Sequence, residues 1–131
     1  MITGITAAFL VFLQIALTYN IIRYRIKNRI SLGDNGDFEL LRRRSAHSNL
    51  QENAPIFLLL LLVCELQDVA PLILYSLSAI FIIGRLSHAY GILCGSSHDS
   101  PRKIGMMLTF LCHIVTALLC IYFFIMQPQL I

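Results

Sequence analysis

Charge is what this sequence has least of. Only 13% of its 131 residues are Asp, Glu, Lys or Arg, against the roughly 25% usual in a soluble domain. Tryptophan is absent. No HExxH-type pair occurs among His47, His88, His98 and His113, and Cys64, Cys94, Cys112 and Cys120 lack zinc-like spacing. No metal site is expected, and the cysteines read as reduced residues, three in apolar runs and one at a helix end. There is no internal repeat and no low-complexity segment. The formal net charge is only +3. We read it as topology and contact with anionic lipid heads, not as a nucleic-acid surface.

What remains is hydrocarbon. The chain is 57% hydrophobic, with a mean hydropathy of +0.75. A spanning helix needs about 20 mostly apolar residues, and four such segments are predicted, at about 2–27, 40–66, 71–93 and 102–126. Turn signals separate them: Gly33-Asp34-Asn35-Gly36, then Gln67-Asp68-Val69-Ala70-Pro71, then the loop from Gly95 through His98 to Pro101. The expected fold is all-α, an integral membrane four-helix antiparallel bundle forming one domain over 1–131. Ile2 to Ile22 is too long for a signal-peptide core and no small-residue cleavage site follows, so it is expected to stay as the first span. The strictly apolar part of the second segment, Ala54 to Cys64, is too short to cross alone. Its first part must therefore enter the hydrocarbon with polar residues turned into the bundle.

Of ten Lys and Arg residues, nine flank the loops joining the first helix to the second and the third to the fourth. The outer turn and both ends of the chain carry none. The positive-inside rule then puts those loops in the cytoplasm and both termini outside.

The exception is Arg85, inside the third span. At 1.5 Å per residue, Glu52 lies about 20 Å and Arg85 about 21 Å from the outer turn. Both are then roughly 10 Å below the cytoplasmic surface of a core about 30 Å thick. Opposite charges at one depth on neighbouring helices are expected to pair, and Asn49 and His88 match one turn nearer the cytoplasm. Ser45, Asn49 and Glu52 share one helix face, and Arg85 and His88 share another. Arg23 closes the first span and Arg102 opens the fourth at the same level. Two readings stand. The polar pairs could simply lock the helices together through buried ion pairs and interhelical hydrogen bonds, or they form a pocket open to the cytosol. His113, near mid-membrane, reads as a satisfied bundle histidine. A pocket of several arginines, a carboxylate, an amide and an imidazole suits a small zwitterionic peptide with extra carboxylates. A lipophilic small molecule could join it from the bilayer.

Residues Arg44-Ser-Ala-His47-Ser-Asn49-Leu-Gln-Glu52-Asn-Ala-Pro55-Ile-Phe57 resemble the second-helix signature of the MAPEG family, the membrane-associated proteins in eicosanoid and glutathione metabolism. Gly84-Arg85-Leu-Ser-His88-Ala-Tyr90-Gly91 is similar to its third-helix motif. The likeness covers the whole chain, and the short loops are most like a compact bacterial branch, which implies a place in a bacterial inner membrane. The resemblance implies a homotrimer in the membrane lipids, with glutathione as co-substrate held between subunits near the cytoplasmic face. By motif, Arg23, Asn49, Glu52, Arg85 and His88 are implied to bind glutathione, and Arg102 to stabilise its thiolate. The implied activity is that of a transferase or peroxidase on small lipophilic electrophiles. Departures from the pattern are Ile92 where some members have Tyr, Lys103 and Met106 where others have Ser and Tyr, and Ser48 where an Arg is often found. They keep open a non-enzymatic lipid-binding or scaffold role. A small transporter is disfavoured, because four short helices lack broken segments.

Overall fold

The computed structural model describes residues 1–94 and 100–126. They form four helices: α1 (Ile2–Asn28), α2 (Phe38–Leu66), α3 (Pro71–Leu93) and α4 (Ser100–Met126). All four are long and apolar enough to cross a membrane. The observed limits lie within two residues of the expected spans. Of the expected loop from Gly95 to Pro101, residues 95–99 lie outside the described residues, and Ser100 and Pro101 already belong to α4.

Local chemistry sets the helix ends. Arg29 takes a left-handed conformation (φ 55°) after α1, and Ile30 N–H donates to Arg25 O at 3.0 Å. The turn then uses Gly33 and Gly36 at positive φ, where a glycine carries no Cβ to clash. Asp37 caps α2, accepting from Leu40 N–H at 3.0 Å. Tyr24 of α1 donates its hydroxyl to the same carboxylate at 3.0 Å, so the cap also ties the two helices together. The Leu40 amide holds the Asp37 carboxyl below the usual carboxylate range. At the opposite end, Pro71 opens α3, where its missing N–H is not needed. Glu65, near the end of α2, accepts from the backbone N–H groups of Ile2 and Thr3, the latter at 3.0 Å. One carboxylate therefore caps the first turn of α1 from a neighbouring helix.

Helices α2 and α3 each pack on all three others, whereas α1 and α4 do not meet. The core follows that arrangement. Leu50, Ala54, Phe57 and Leu61 of α2 face Leu74, Leu77 and Phe81 of α3. Phe57 and Phe81 stack with ring centroids 3.9 Å apart. His113 of α4 meets both rings edge-on, and its Nε2 lies 3.2 Å from Asn53 O. It is the satisfied bundle histidine expected of it. Helices α3 and α4 approach closest, through small residues. A Cβ on Gly105 would lie 2.5 Å from Gly84 O and 2.6 Å from His88 N, and one on Gly91 would lie 2.5 Å from Arg102 N. Small-residue contacts of this kind let helices pack closely in lipid, where no hydrophobic force drives them together.

Candidate functional site

Arg85 is 2% exposed and lies where three helices meet. Its Nη1 donates to Asn49 Oδ1 of α2. Its Nη2 donates to Gly105 O at 3.2 Å and to Thr109 Oγ1, both on α4. Met106 Sδ lies 3.8 Å from the same nitrogen and 3.6 Å from Asn49 Nδ2. Thr109 in turn donates its hydroxyl to Gly105 O at 2.8 Å. The guanidinium thus spreads its charge over an amide, a hydroxyl and a carbonyl, as a cation in hydrocarbon must when no carboxylate is at hand.

The expected Glu52–Arg85 pair does not form. Among the described residues the ion pairs are Arg42–Glu39, Arg43–Glu39 and Arg44–Asp34. Helical rise placed Glu52 and Arg85 at one level, but rise says nothing about the direction in which a side chain leaves its helix. Asn49 turns inward toward α3 and α4, while Glu52 is exposed on the outer side of α2. The expected match of Asn49 with His88 is replaced in the same way, since Asn49 is taken by Arg85. His88 is buried beside the Gly105 crossing.

Glu52 instead lines an open groove of about 440 Å³ with Asp34, Arg44, Ser45, Ser48 and Asn49. Ser45 and Glu52 are exposed on the outer part of their shared face, which opens on this groove, whereas the half-buried Asn49 at its edge turns in to Arg85. Arg44 reaches Asp34 at 3.7 Å across the mouth of this groove. Arg23 lies elsewhere, in a second groove of about 590 Å³ with Tyr19, Asn20, Tyr24, Lys27 and Arg43. There Arg43 sits over the Tyr24 ring at 4.6 Å and donates to Asn20 Oδ1 and, at 2.8 Å, to Glu39. His47 also turns toward α1, with its Nε2 2.7 Å from Gln14 Nε2 and 3.0 Å from Thr18 Oγ1. Arg102 is exposed in the first turn of α4, its backbone set against Gly91.

The structure therefore brings Asn49 and Arg85 together and places Glu52 beside Asn49. It leaves Arg23 and Arg102 on separate surfaces of the chain. Sequence reasoning missed Thr109 and Gly105 as partners of Arg85. Their spacing at i and i+4 on α4 was the available signal, but a threonine in an apolar helix ordinarily bonds its own backbone. It also passed over Met106 as a contact and saw only the tyrosine that it replaces.

A family model for the MAPEG family matches residues 3–122. Inner membrane protein YecN of Escherichia coli K12 is 28% identical to the chain over 91 residues, which cover 70% of each. YecN of Escherichia coli O6:H1 strain CFT073 matches to the same extent. With four helices able to span a bilayer, the chain is an integral multi-pass membrane protein.

Proposed function

The chain belongs to the MAPEG family, and from that premise we propose that it is a glutathione-dependent transferase or peroxidase acting on small lipophilic electrophiles. The observation that carries this reading is the groove at Asn49 and Glu52. It offers the Arg44 guanidinium with Asp34 beside it at 3.7 Å, two hydroxyls, the Asn49 amide and the Glu52 carboxylate in one open cleft. Glu52 suits the peptide's ammonium, and Arg44 suits a carboxylate. Arg85 holds the Asn49 amide oxygen, and Asn49 Nδ2 donates to Met106 Sδ at 3.6 Å, a weak acceptor that a ligand oxygen in the cleft would replace.

The groove is one-sided, and Arg23 and Arg102 lie outside it. A complete site would need a second copy to present those residues, so the proposal includes a homotrimer with glutathione between protomers. The chemistry is electrostatic. A thiol of pKa about 8.5 is mostly protonated at neutral pH. Lowering it by about two units takes roughly 2.7 kcal/mol of thiolate preference. A guanidinium about 4 Å away in a medium of effective dielectric about 20 supplies about 4 kcal/mol. Arg102 is the candidate, and the thiolate would then form the sulfur–carbon bond to an electrophile arriving from the bilayer.

Glutathione titration of the purified protein with ultraviolet detection of thiolate tests this. Arg102→Ala is expected to keep binding and to raise the bound thiol's pKa by about two units. Absence of saturable binding up to about 10 mM, well above ordinary KM values of ~1 μM–1 mM, would end the proposal.

A second reading is a non-enzymatic lipid-binding or scaffold protein. Met106 presents a thioether to Asn49 and Arg85 where a phenol would donate a proton. In addition, an apolar groove of about 380 Å³ between α1 and α2, lined by Leu10, Val11, Leu50 and Leu58, is shaped for an acyl chain. Lipid retained in native mass spectrometry, with no glutathione-dependent turnover of any electrophile, would favour it.

A further inference from the structure

The four cysteines do not behave alike. Cys94 is exposed at the end of α3, and Cys112 is buried with its Sγ donating to Leu77 O of α3 at 3.7 Å. Cys64 and Cys120 face each other across the α2–α4 contact, with Sγ atoms 3.4 Å apart. The arrangement is reciprocal. Cys64 Sγ donates to Thr116 O at 3.6 Å, one turn before Cys120. Cys120 Sγ donates to Leu60 O at 3.5 Å, one turn before Cys64. Each thiol is thus held against the other's helix, and neither can turn away without leaving its acceptor. Gln67 Nε2 donates to Cys120 O at 3.4 Å and closes the same end of the bundle.

We propose that Cys64 and Cys120 form an oxidisable dithiol, a site at which a membrane-soluble disulfide converts the pair into an α2–α4 cross-link. The sulfurs must close from 3.4 Å to a bond of about 2.05 Å, which side-chain rotation can supply between helices already in contact. Cys64 is fully buried and Cys120 half-buried, so Cys120 is the attacking thiol. Its Sγ loses a proton and attacks one sulfur of the incoming disulfide, forming a mixed disulfide and releasing one thiol. Cys64 Sγ then attacks Cys120 Sγ, the bond to the remaining group breaks, and a second thiol leaves with the Cys64 proton. Two protein thiols lose two electrons, and the reagent gains them. The cross-link sits at the end of the bundle away from the turn of residues 29–37 and its flanking arginines, and it joins the helices that carry Asn49 and Arg102.

The test uses full-length protein in detergent and dipyridyl disulfide, which releases a coloured thione at each exchange. Cys94 is removed as Cys94→Ser, or blocked in the unaltered chain by a polar maleimide. The expected result is release of two thiones per chain, a mass about two hydrogens lower, and a peptide joining Cys64 to Cys120, all reversed by a phosphine. Adding Cys64→Ser is expected to stop the reaction at a stable Cys120 adduct with one thione released. Adding Cys120→Ser is expected to leave Cys64 unreacted, and Cys112→Ser to change nothing. A stable adduct on Cys120 with Cys64 free, a link through Cys112, a link between two chains, or no thione at all would overturn the proposal.

Discussion

Arg85 is the residue on which the site's internal order depends. It is a buried cation whose ligands are an amide, a hydroxyl and a carbonyl from two other helices. Hydrogen bonds to a charged group contribute about 1.5–3 kcal/mol each. Arg85→Ala is therefore expected to lower unfolding stability in detergent by at least about 2 kcal/mol, read by denaturant titration of helical circular dichroism. Thr109→Val removes one ligand and keeps the shape, so its effect should be smaller. Glu52→Gln is the contrasting case. Glu52 is exposed and holds no ion pair among the described residues, so this change should leave stability within about 0.5 kcal/mol while weakening any glutathione binding. A loss of stability as large as that of Arg85→Ala would show that Glu52 is structural after all.

Among the elements, the α3–α4 crossing has the least room. Gly105→Ala would put a methyl carbon 2.5 Å from Gly84 O, and overpacking of this kind costs about 1–3 kcal/mol. The expected outcome is a lower melting temperature and displacement of Arg85 from Gly105 O. Gly4→Ala is the control, because among the described residues nothing lies within 4 Å of its added Cβ. At the α1–α2 turn the relevant group is Asp37. Its folded-state pKa is lowered, chiefly by the Leu40 N–H, so its stabilising contribution is complete above the unfolded value of about 3.9. That contribution fades as pH falls through the lower folded value. Acidification below about pH 4 should loosen the α1–α2 turn first, seen as faster amide exchange at Leu40, and Asp37→Asn should blunt that pH dependence. The helices themselves were legible in the sequence, since four apolar runs separated by Gly, Asp and Pro signals fix their number and limits to within a residue or two. The cap supplied to α1 by Glu65 was not legible. It joins residues more than sixty positions apart, and no local pattern marks such a pair.

For the whole molecule, orientation and assembly follow from surfaces. The proposed orientation puts the α3–α4 loop in the cytoplasm. Cys94 borders that loop and is exposed, so an impermeant maleimide should spare it in intact cells and label it in inverted vesicles. The reverse pattern would invert the topology. The proposed trimer predicts a threefold mass in native mass spectrometry and loss of glutathione binding when the oligomer is dissociated. Retention of binding by monomers would place the whole site within one chain. The sequence by itself determined that this chain is a multi-pass membrane protein, how many of its helices can cross, and how far along its helix each polar residue lies, because composition, run length and helical rise are properties of the chain alone. Only the tertiary structure decided which residues meet. It gave Arg85 to Asn49, Gly105 and Thr109, turned Glu52 outward, and set Cys64 against Cys120. The reason is that azimuth around a helix is fixed by packing, and packing depends on where three other helices lie.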